Sequence, residues 1–266
     1  FDQVSLEDAM FTLKTAFLSN PSASRFGFST VPLAHLAAAA AQKLDAVHLS
    51  TAVLGIESDA SGVTLRLPEQ TAQTFDAVVL AVPPRAAAKL LGEPERYGVR
   101  GLDGYRPFPI LDVHLWHDRG EIGFDFAAAL ESPLQWIFEK APGYLSCSFS
   151  AADEYMRLPT AELEALAWSE VQTYVPSMKS ANLVRSAVTR NPEATWLPKP
   201  GVTRAGNATT DPRVTIAGSW TNTGWPDTME SAVRSGETAA HVILRAANAA
   251  SAVEEPRQFL AGGVTA

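Results

Sequence analysis

The chain has 266 residues, 46% hydrophobic and 19% charged, a globular composition with material for one large core or two smaller ones. A formal net charge of −8 repels phosphate backbones and argues against nucleic acid as a partner. One cysteine, Cys147, excludes an internal disulfide and fits a reducing cytoplasm; no run is long and apolar enough to span a bilayer, and the start FDQVSLEDAM has no signal-peptide pattern.

Residues 6–19 read as a helix, with Leu6, Met10, Leu13 and Phe17 at helical spacing. Pro32 suits the first turn of a second helix, which the Ala-rich run carries to Leu44. VHLSTAVLGIESD reads as a strand, Ser61-Gly62 as a turn, and VTLRL as the returning strand. FDAVVLAVPP is a short, continuously apolar strand of the kind buried on both faces, stopped by Pro83-Pro84. GYRPFPILDVHLWHDRG and PLQWIFEKAPGYLSCSFSA supply a sheet-rich middle, with Cys147 as a core residue. Thr160 is placed to cap a helix ending before Pro176, with Leu163, Leu166, Ala167, Val171 and Tyr174 in one stripe. NLVRSAVTRNPEATW reads as a strand that gives way to a loop. Interleaved strands and helices make the expected fold α/β or α+β.

The stretch VTIAGSWTNTGWPDTMESAVRSGETAAHVIL reads as strand, loop and helix. Gly218 ends the strand where a ligand approaching the backbone would demand no side chain. Asp227 fits the helix N-cap, with Glu230 as its capping-box partner. Ala232, Val233, Gly236, Ala240, Ile243 and Leu244 form the expected packing face, and the small polar tail after Ala247 frays. The helix N-terminus is a positive end, suited to an electron-rich ring that gains charge on reduction.

The block AGSWTNTGWPDTMESAVRSGETAA resembles the C-terminal flavin-binding segment of the FAD-dependent amine oxidase and phytoene desaturase superfamily. It is most similar to the squalene-associated branch, the hydroxysqualene dehydroxylases. STVPLAHL, LSTAVLGIE, VVLAVPPRAAAKLL, DVHLW, PLQWIF, SAADEYMRL and NPEATW resemble further segments of that branch in the same order, so the resemblance covers most of residues 26–240. It implies an α/β fold, the C-terminal part of a two-domain FAD-dependent oxidoreductase: a partial Rossmann-like FAD domain and a mixed-sheet substrate domain. Residues 1–44 would be a helical part of the substrate domain, 45–95 FAD-domain strands, 96–200 the substrate domain, 201–247 the last FAD-domain strand-loop-helix, and 248–266 a flexible tail. Gly218, Ser219 and Trp220 in the following turn would meet the flavin ribityl chain. Thr228 and Met229 would offer backbone N–H groups to the isoalloxazine edge, Val53 would meet the adenine through its backbone, and Trp225 would lie by the ring and a substrate tunnel. The implied cofactor is FAD and the implied partner a hydrophobic isoprenoid, met in the cytoplasm at the surface of a membrane.

This sequence departs from the branch at three places. Ser219 stands where an acidic residue is usual and gives up a charge-assisted hydrogen bond. Ser231 replaces a glycine and would crowd the helix against the cofactor. The G-x-G-x-x-G loop is absent: Gly98, Gly101 and Gly104 are spaced by three but follow no strand, which leaves the diphosphate without a site. With Phe1 rather than Met at the start, the expectation is a piece of a longer protein, lacking its N-terminal segment.

The remaining candidates point elsewhere. His114 and His117 sit three apart on a strand and so on opposite faces, which excludes a shared metal ion. His35 and His241 read as surface or packing residues, Asp153-Glu154 as a charged pair flanking a helix ahead of an acid–base pair, and Arg106 as facing solvent ahead of a substrate oxygen. No side chain is singled out as catalytic, because in this superfamily the flavin performs the redox step. Phe108, Trp116, Phe124, Phe126, Trp136 and Phe138 suit an apolar tunnel or an ordinary core equally.

Overall fold

A computed structural model describes residues 6–20, 27–29, 31–198 and 201–254. Two compact units share the chain. The first joins Leu44–Tyr105 to the described parts of 1–23 and 198–266; the second joins Arg106–Leu197 to the described part of 24–43. Residues 6–20 therefore group with the first unit, although the sequence assigns them to the substrate domain, and the crossover falls at Tyr105 rather than near residue 95.

The first unit opens with α1 (Leu6–Leu13), which widens into a looser turn over Lys14–Leu18. Its expected stripe stays exposed: Leu6 is 76% accessible and Met10 51%. A three-stranded antiparallel meander follows, β1 (Gly55–Asp59), β2 (Gly62–Arg66) and β3 (Ala72–Phe75). The turn forms where it is expected because Asp59 Oδ1 accepts both the N–H and the hydroxyl of Ser61, at 2.7 and 2.6 Å. The strand starts at Gly55, however, so Val53 lies in irregular backbone just ahead of it.

β4 (Val78–Leu80) pairs in parallel with β10 (Val214–Ile216), in register Val78 with Val214 and Leu80 with Ile216. Pro83-Pro84 stops β4 and also starts α3 (Pro84–Leu91), a helix not read from the sequence. Proline at a helix start loses nothing, because that N–H has no partner in any case. α5 (Met229–Glu254) packs against β10 and continues past Ala247, where fraying was expected. Its buried face is Ser231, Ser235 and Ala239, all fully buried. The expected face is the wrong one: Val233 and Leu244 are 58% and 59% exposed. Small residues let α5 approach the strand closely, and this outweighs hydrophobic content.

The second unit has α2 (Ala34–Ala41), an alanine helix with no buried residue, and a five-stranded sheet. Its strands are β5 (Tyr105–His117), β6 (Phe126–Ala128), β7 (Trp136–Ala141), β8 (Tyr144–Ser150) and β9 (Leu183–Pro198), in order β6-β7-β8-β5-β9. β9 runs on through Pro192 instead of breaking into a loop. Alternation along β5 sends Leu111, Val113 and Leu115 into the core. There they meet Cys147, Phe149 and the stripe Leu163, Ala167 and Val171 of α4 (Thr160–Tyr174). Thr160 does not cap α4; its hydroxyl accepts from Arg190 Nη2 at 3.3 Å. His114 and His117 fall on opposite faces, His117 buried and His114 half-buried. Arg106 meets Asp153 at 3.4 Å and lies over Phe108, with its side chain still 41% exposed to solvent.

Candidate functional site

Residues 217–228 join β10 to α5. Gly218 has a φ of 153°, which L side chains rarely adopt. A Cβ there would lie 2.3 Å from Nε1 and 2.6 Å from Cδ1 of Trp220. The space at Gly218 is taken by the chain's own indole, not left for a ligand as the sequence suggests. Trp220 is only 2% exposed, and its Nε1–H donates to the Val82 carbonyl at 3.0 Å. Tyr105 meets the indole edge-on, with centroids 5.5 Å apart, and donates its hydroxyl to the Trp220 carbonyl at 2.9 Å. Burial raises the Tyr105 pKa, so this donor stays protonated. The Trp220 side chain is thus an anchor of the loop.

A buried polar network ties the loop to α5. Ser235 Oγ accepts the Gly218 N–H at 2.9 Å and the Asn207 amide at 2.8 Å, and meets Thr221 Oγ1 at 2.7 Å. Asn207 also donates to the Ile216 carbonyl at 2.9 Å. Ser231 donates to the Ser219 carbonyl at 2.9 Å and contacts Thr223 Oγ1 at 2.6 Å. Ser231 therefore fastens the loop. Sequence reasoning missed Asn207, Ser235 and Tyr105; the four-residue spacing of Ser231, Ser235 and Ala239 is the signal for the α5 side of that seam alone.

At the start of α5, Thr228 Oγ1 accepts the Ser231 N–H at 3.3 Å, so Thr228 and not Asp227 is the cap. Glu230 does not close a capping box; it pairs with Arg234 at 2.7 Å. Among the described residues no acceptor takes the N–H groups of Thr228, Met229 and Glu230. Trp225 is half-buried, with Phe11 edge-on at 5.2 Å, the Arg234 guanidinium 4.8 Å from its centroid, and Arg204 donating to its carbonyl. The Ser219 hydroxyl is half-exposed and has no protein partner among the described residues.

This arrangement fits the edge of a flavin ring. Three free N–H groups stand at the positive end of a long helix, where negative charge is stabilised. It offers nothing for a diphosphate. The connection from β4 to α3 is Ala81-Val82-Pro83-Pro84, in which two residues lack an N–H. Gly98 and Gly101 have φ near 70° and turn the chain between short helical turns. They line a cavity of about 490 Å³ with Val99, Arg100, Gly104, residues 201–206 and Ala208. Val53 is half-buried, and neither its N–H nor its carbonyl bonds another described backbone group. No group of three His, Cys, Asp or Glu side chains converges among the described residues, and none of the described helices is long and apolar enough to cross a membrane.

Residues 6–244 match the family model for flavin containing amine oxidoreductase. A hydroxysqualene dehydroxylase of Rhodopseudomonas palustris is 34% identical over 176 residues, covering 65% of this chain and 40% of that protein. A zeta-carotene desaturase of Arabidopsis thaliana is 28% identical over 120 residues, 44% of this chain and 22% of that protein. In fold the chain is similar to a crystal structure of a putative protoporphyrinogen oxidase from Exiguobacterium, with a TM-score of 0.66 at 13% identity, over 93% of this chain and 60% of that one. The chain spans about two fifths of the length of the hydroxysqualene dehydroxylase it matches. The matched span, the strand-loop-helix and the neighbouring fold agree: the chain belongs to the flavin-containing amine oxidoreductase family.

Proposed function

We propose that this chain is the part of an FAD-dependent oxidoreductase that reduces hydroxysqualene to squalene. The observation that carries this reading is the 34% identity to a hydroxysqualene dehydroxylase, together with the Ala217–Ala240 block. When bound, the flavin supplies the two-electron reducing equivalent that replaces the leaving hydroxyl. The protein's contribution is position and electrostatics. The N–H groups of Thr228 and Met229 would hold the ring edge, and the Ser219 hydroxyl would bond the ribityl chain. The Ser231 and Ser235 network keeps the loop from moving, which preserves this geometry at no cost during reaction. Val53 would meet the adenine through backbone. The substrate is an apolar isoprenoid, so work at a membrane surface is part of the proposal.

The described residues hold no glycine-rich turn from a strand into a helix, and on this reading the diphosphate would be held elsewhere. The two-stranded parallel pair β4 and β10 supports this, because parallel sheets are found covered on both faces and in larger sheets. Exposed Met229 and Val233 on α5 support it too.

The test is incubation of the protein with FAD, a chemical reductant and hydroxysqualene, with squalene measured by mass spectrometry. Flavin bound with hydroxysqualene unchanged overturns the assignment. A second reading, an oxidative carotenoid-type desaturase, is favoured by the match to zeta-carotene desaturase. Desaturation of a polyene under an oxidant would select it, and turnover of an amine would select an amine oxidase instead. A third reading, a non-catalytic chain or a subunit that needs a partner carrying the glycine loop, rests on Ser219 and the absent loop. A purified chain that stays colourless with excess FAD selects that one.

A further inference from the structure

Two segments of the first unit wall the cavity of about 490 Å³, one running from Gly98 to Gly104 and the other from Gly201 to Ala208. They are tied together beside it. Thr210 donates its N–H to the Tyr97 carbonyl and its hydroxyl to the Arg96 carbonyl, both at 2.9 Å. The second wall is also tied to the loop between β10 and α5. Ala205 donates its N–H to the Tyr105 hydroxyl at 3.3 Å and accepts the Asn222 N–H at 2.9 Å. The space is thus set by the fold and is not a gap between free loops.

Its chemistry has one sign. Arg100 and Arg204 line it, and among the described residues no carboxylate does; Asp103, the acidic residue of the first segment, is not in the lining. This stands out in a chain of net charge −8. Neither arginine forms an ion pair among the described residues. Arg204 is half-buried and donates to the Trp225 carbonyl, which fixes the guanidinium and uses one of its five donors. The main chain adds to this. Five lining residues are glycines, and glycine lets a ligand approach the backbone closely. Packing does not require the one at Gly206, where a Cβ would meet nothing within 4 Å. The N–H groups of Gly101, Thr203 and Gly206 reach no acceptor among the described residues. Guanidinium forks and free N–H groups in turns are partners of oxyanions, phosphate above all. A single phosphate fills only part of this volume, and Val99, Val202 and Ala205 give an aliphatic wall for an organic group attached to it.

We propose that this cavity is an oxyanion site for a phosphate-bearing ligand, with the Arg100 and Arg204 guanidinium groups on its phosphoryl oxygens. The inference is independent of the dehydroxylation reading, because it uses neither the loop at Gly218 nor the start of α5.

The test is isothermal titration calorimetry of the full chain with inorganic diphosphate, in metal-free buffer at constant ionic strength. Saturable binding at one site is expected. Arg100→Gln and Arg204→Gln each weaken it about 5- to 10-fold, the worth of a charge-assisted hydrogen bond in a half-open site. Arg157→Gln, an exposed position in the second unit, leaves it unchanged. Arg204→Gln also loses the bond to the Trp225 carbonyl, so urea unfolding is run on every variant, and Arg204→Lys, which keeps the charge, recovers part of the affinity. No saturable heat at millimolar diphosphate overturns the site. So does binding that both Arg100→Gln and Arg204→Gln leave intact, or binding that Arg157→Gln weakens as much as they do. FAD is then added to the diphosphate complex. Displacement identifies the oxyanion as the diphosphate of the cofactor, and diphosphate retained beside FAD identifies a separate phosphate ester; both uphold the site. Hydroxysqualene turnover is scored separately, and its presence or absence leaves the calorimetric result unchanged.

Discussion

Replacing Gly218 by alanine separates two explanations for that glycine. If it exists to let a cofactor approach, Gly218→Ala changes ligand binding and leaves stability alone. The structure says otherwise. The new methyl would sit 2.3 Å from the Trp220 Nε1, a distance no real Cβ adopts. The indole has little room to retreat: it is 2% exposed, bonded to the Val82 carbonyl and held edge-on by Tyr105. A φ of 153° adds backbone strain of about 1–3 kcal/mol for a non-glycine residue. Overpacking of a buried ring adds about another 1–3 kcal/mol. The expected loss is therefore about 2–6 kcal/mol, read by urea unfolding followed by tryptophan fluorescence and by far-ultraviolet circular dichroism. A double-mutant cycle divides the loss. In a Trp220→Ala background the overpacking vanishes, and Gly218→Ala then costs only the backbone strain. A single variant within about 0.5 kcal/mol of the parent, the range of an ordinary surface change, would refute the packing argument and return the glycine to the ligand.

Four further outcomes follow from the same contacts. Ser235→Ala strips an acceptor from the buried Gly218 N–H and Asn207 amide and costs about 1–3 kcal/mol in urea unfolding; a neutral result would mean water replaces the hydroxyl. Thr228→Ala removes the observed cap and costs about 1 kcal/mol, measured the same way. His117 is buried with no well-formed hydrogen bond to either ring nitrogen among the described residues, and burial lowers its pKa against the smaller pull of Glu139, Asp118 and the Arg119 backbone. Its folded pKa lies below its unfolded value near 6.5, so its contribution is complete above that pH and shrinks as pH falls below it. His117→Leu flattens the stability profile in that window, whereas the exposed Asp59 and Asp118, whose pKa values are lowered by hydrogen bonds to Ser61 and Asn182, act only around and below pH 3.8. Burial pushes the Cys147 thiol far up, so the native chain stays inert to a thiol-titrating disulfide reagent at neutral pH and reacts only when unfolded; stoichiometric reaction in native buffer would show that the sheet opens.

The strand-loop-helix around Gly218 was legible because each part carries its own local signal: β-branched residues, a glycine, a cap and a long run of helix formers. The errors lie where tertiary context chose between equal local candidates. Thr228 and Asp227 are both good caps, and the choice fell to the one whose hydroxyl reaches the Ser231 N–H. The packing face of α5 was misread for a deeper reason. Apolar periodicity finds Val233 and Leu244, but the strand is met by Ser231, Ser235 and Ala239, whose virtue is small size and hydroxyls that satisfy loop donors. A period analysis gives serine no weight, so the residues that hold the candidate site together were the least visible in the sequence. β9 runs on through Pro192 although proline removes a ladder donor; at the end of the sheet order that loss is tolerated. The second unit shows the complementary limit. Alternation in β5 gave the core face correctly, yet the opposite face became readable only when register set His114 beside Tyr144 and the serines between two aromatic strands. Chemistry that depends on which strands are neighbours is invisible until the pairing is known.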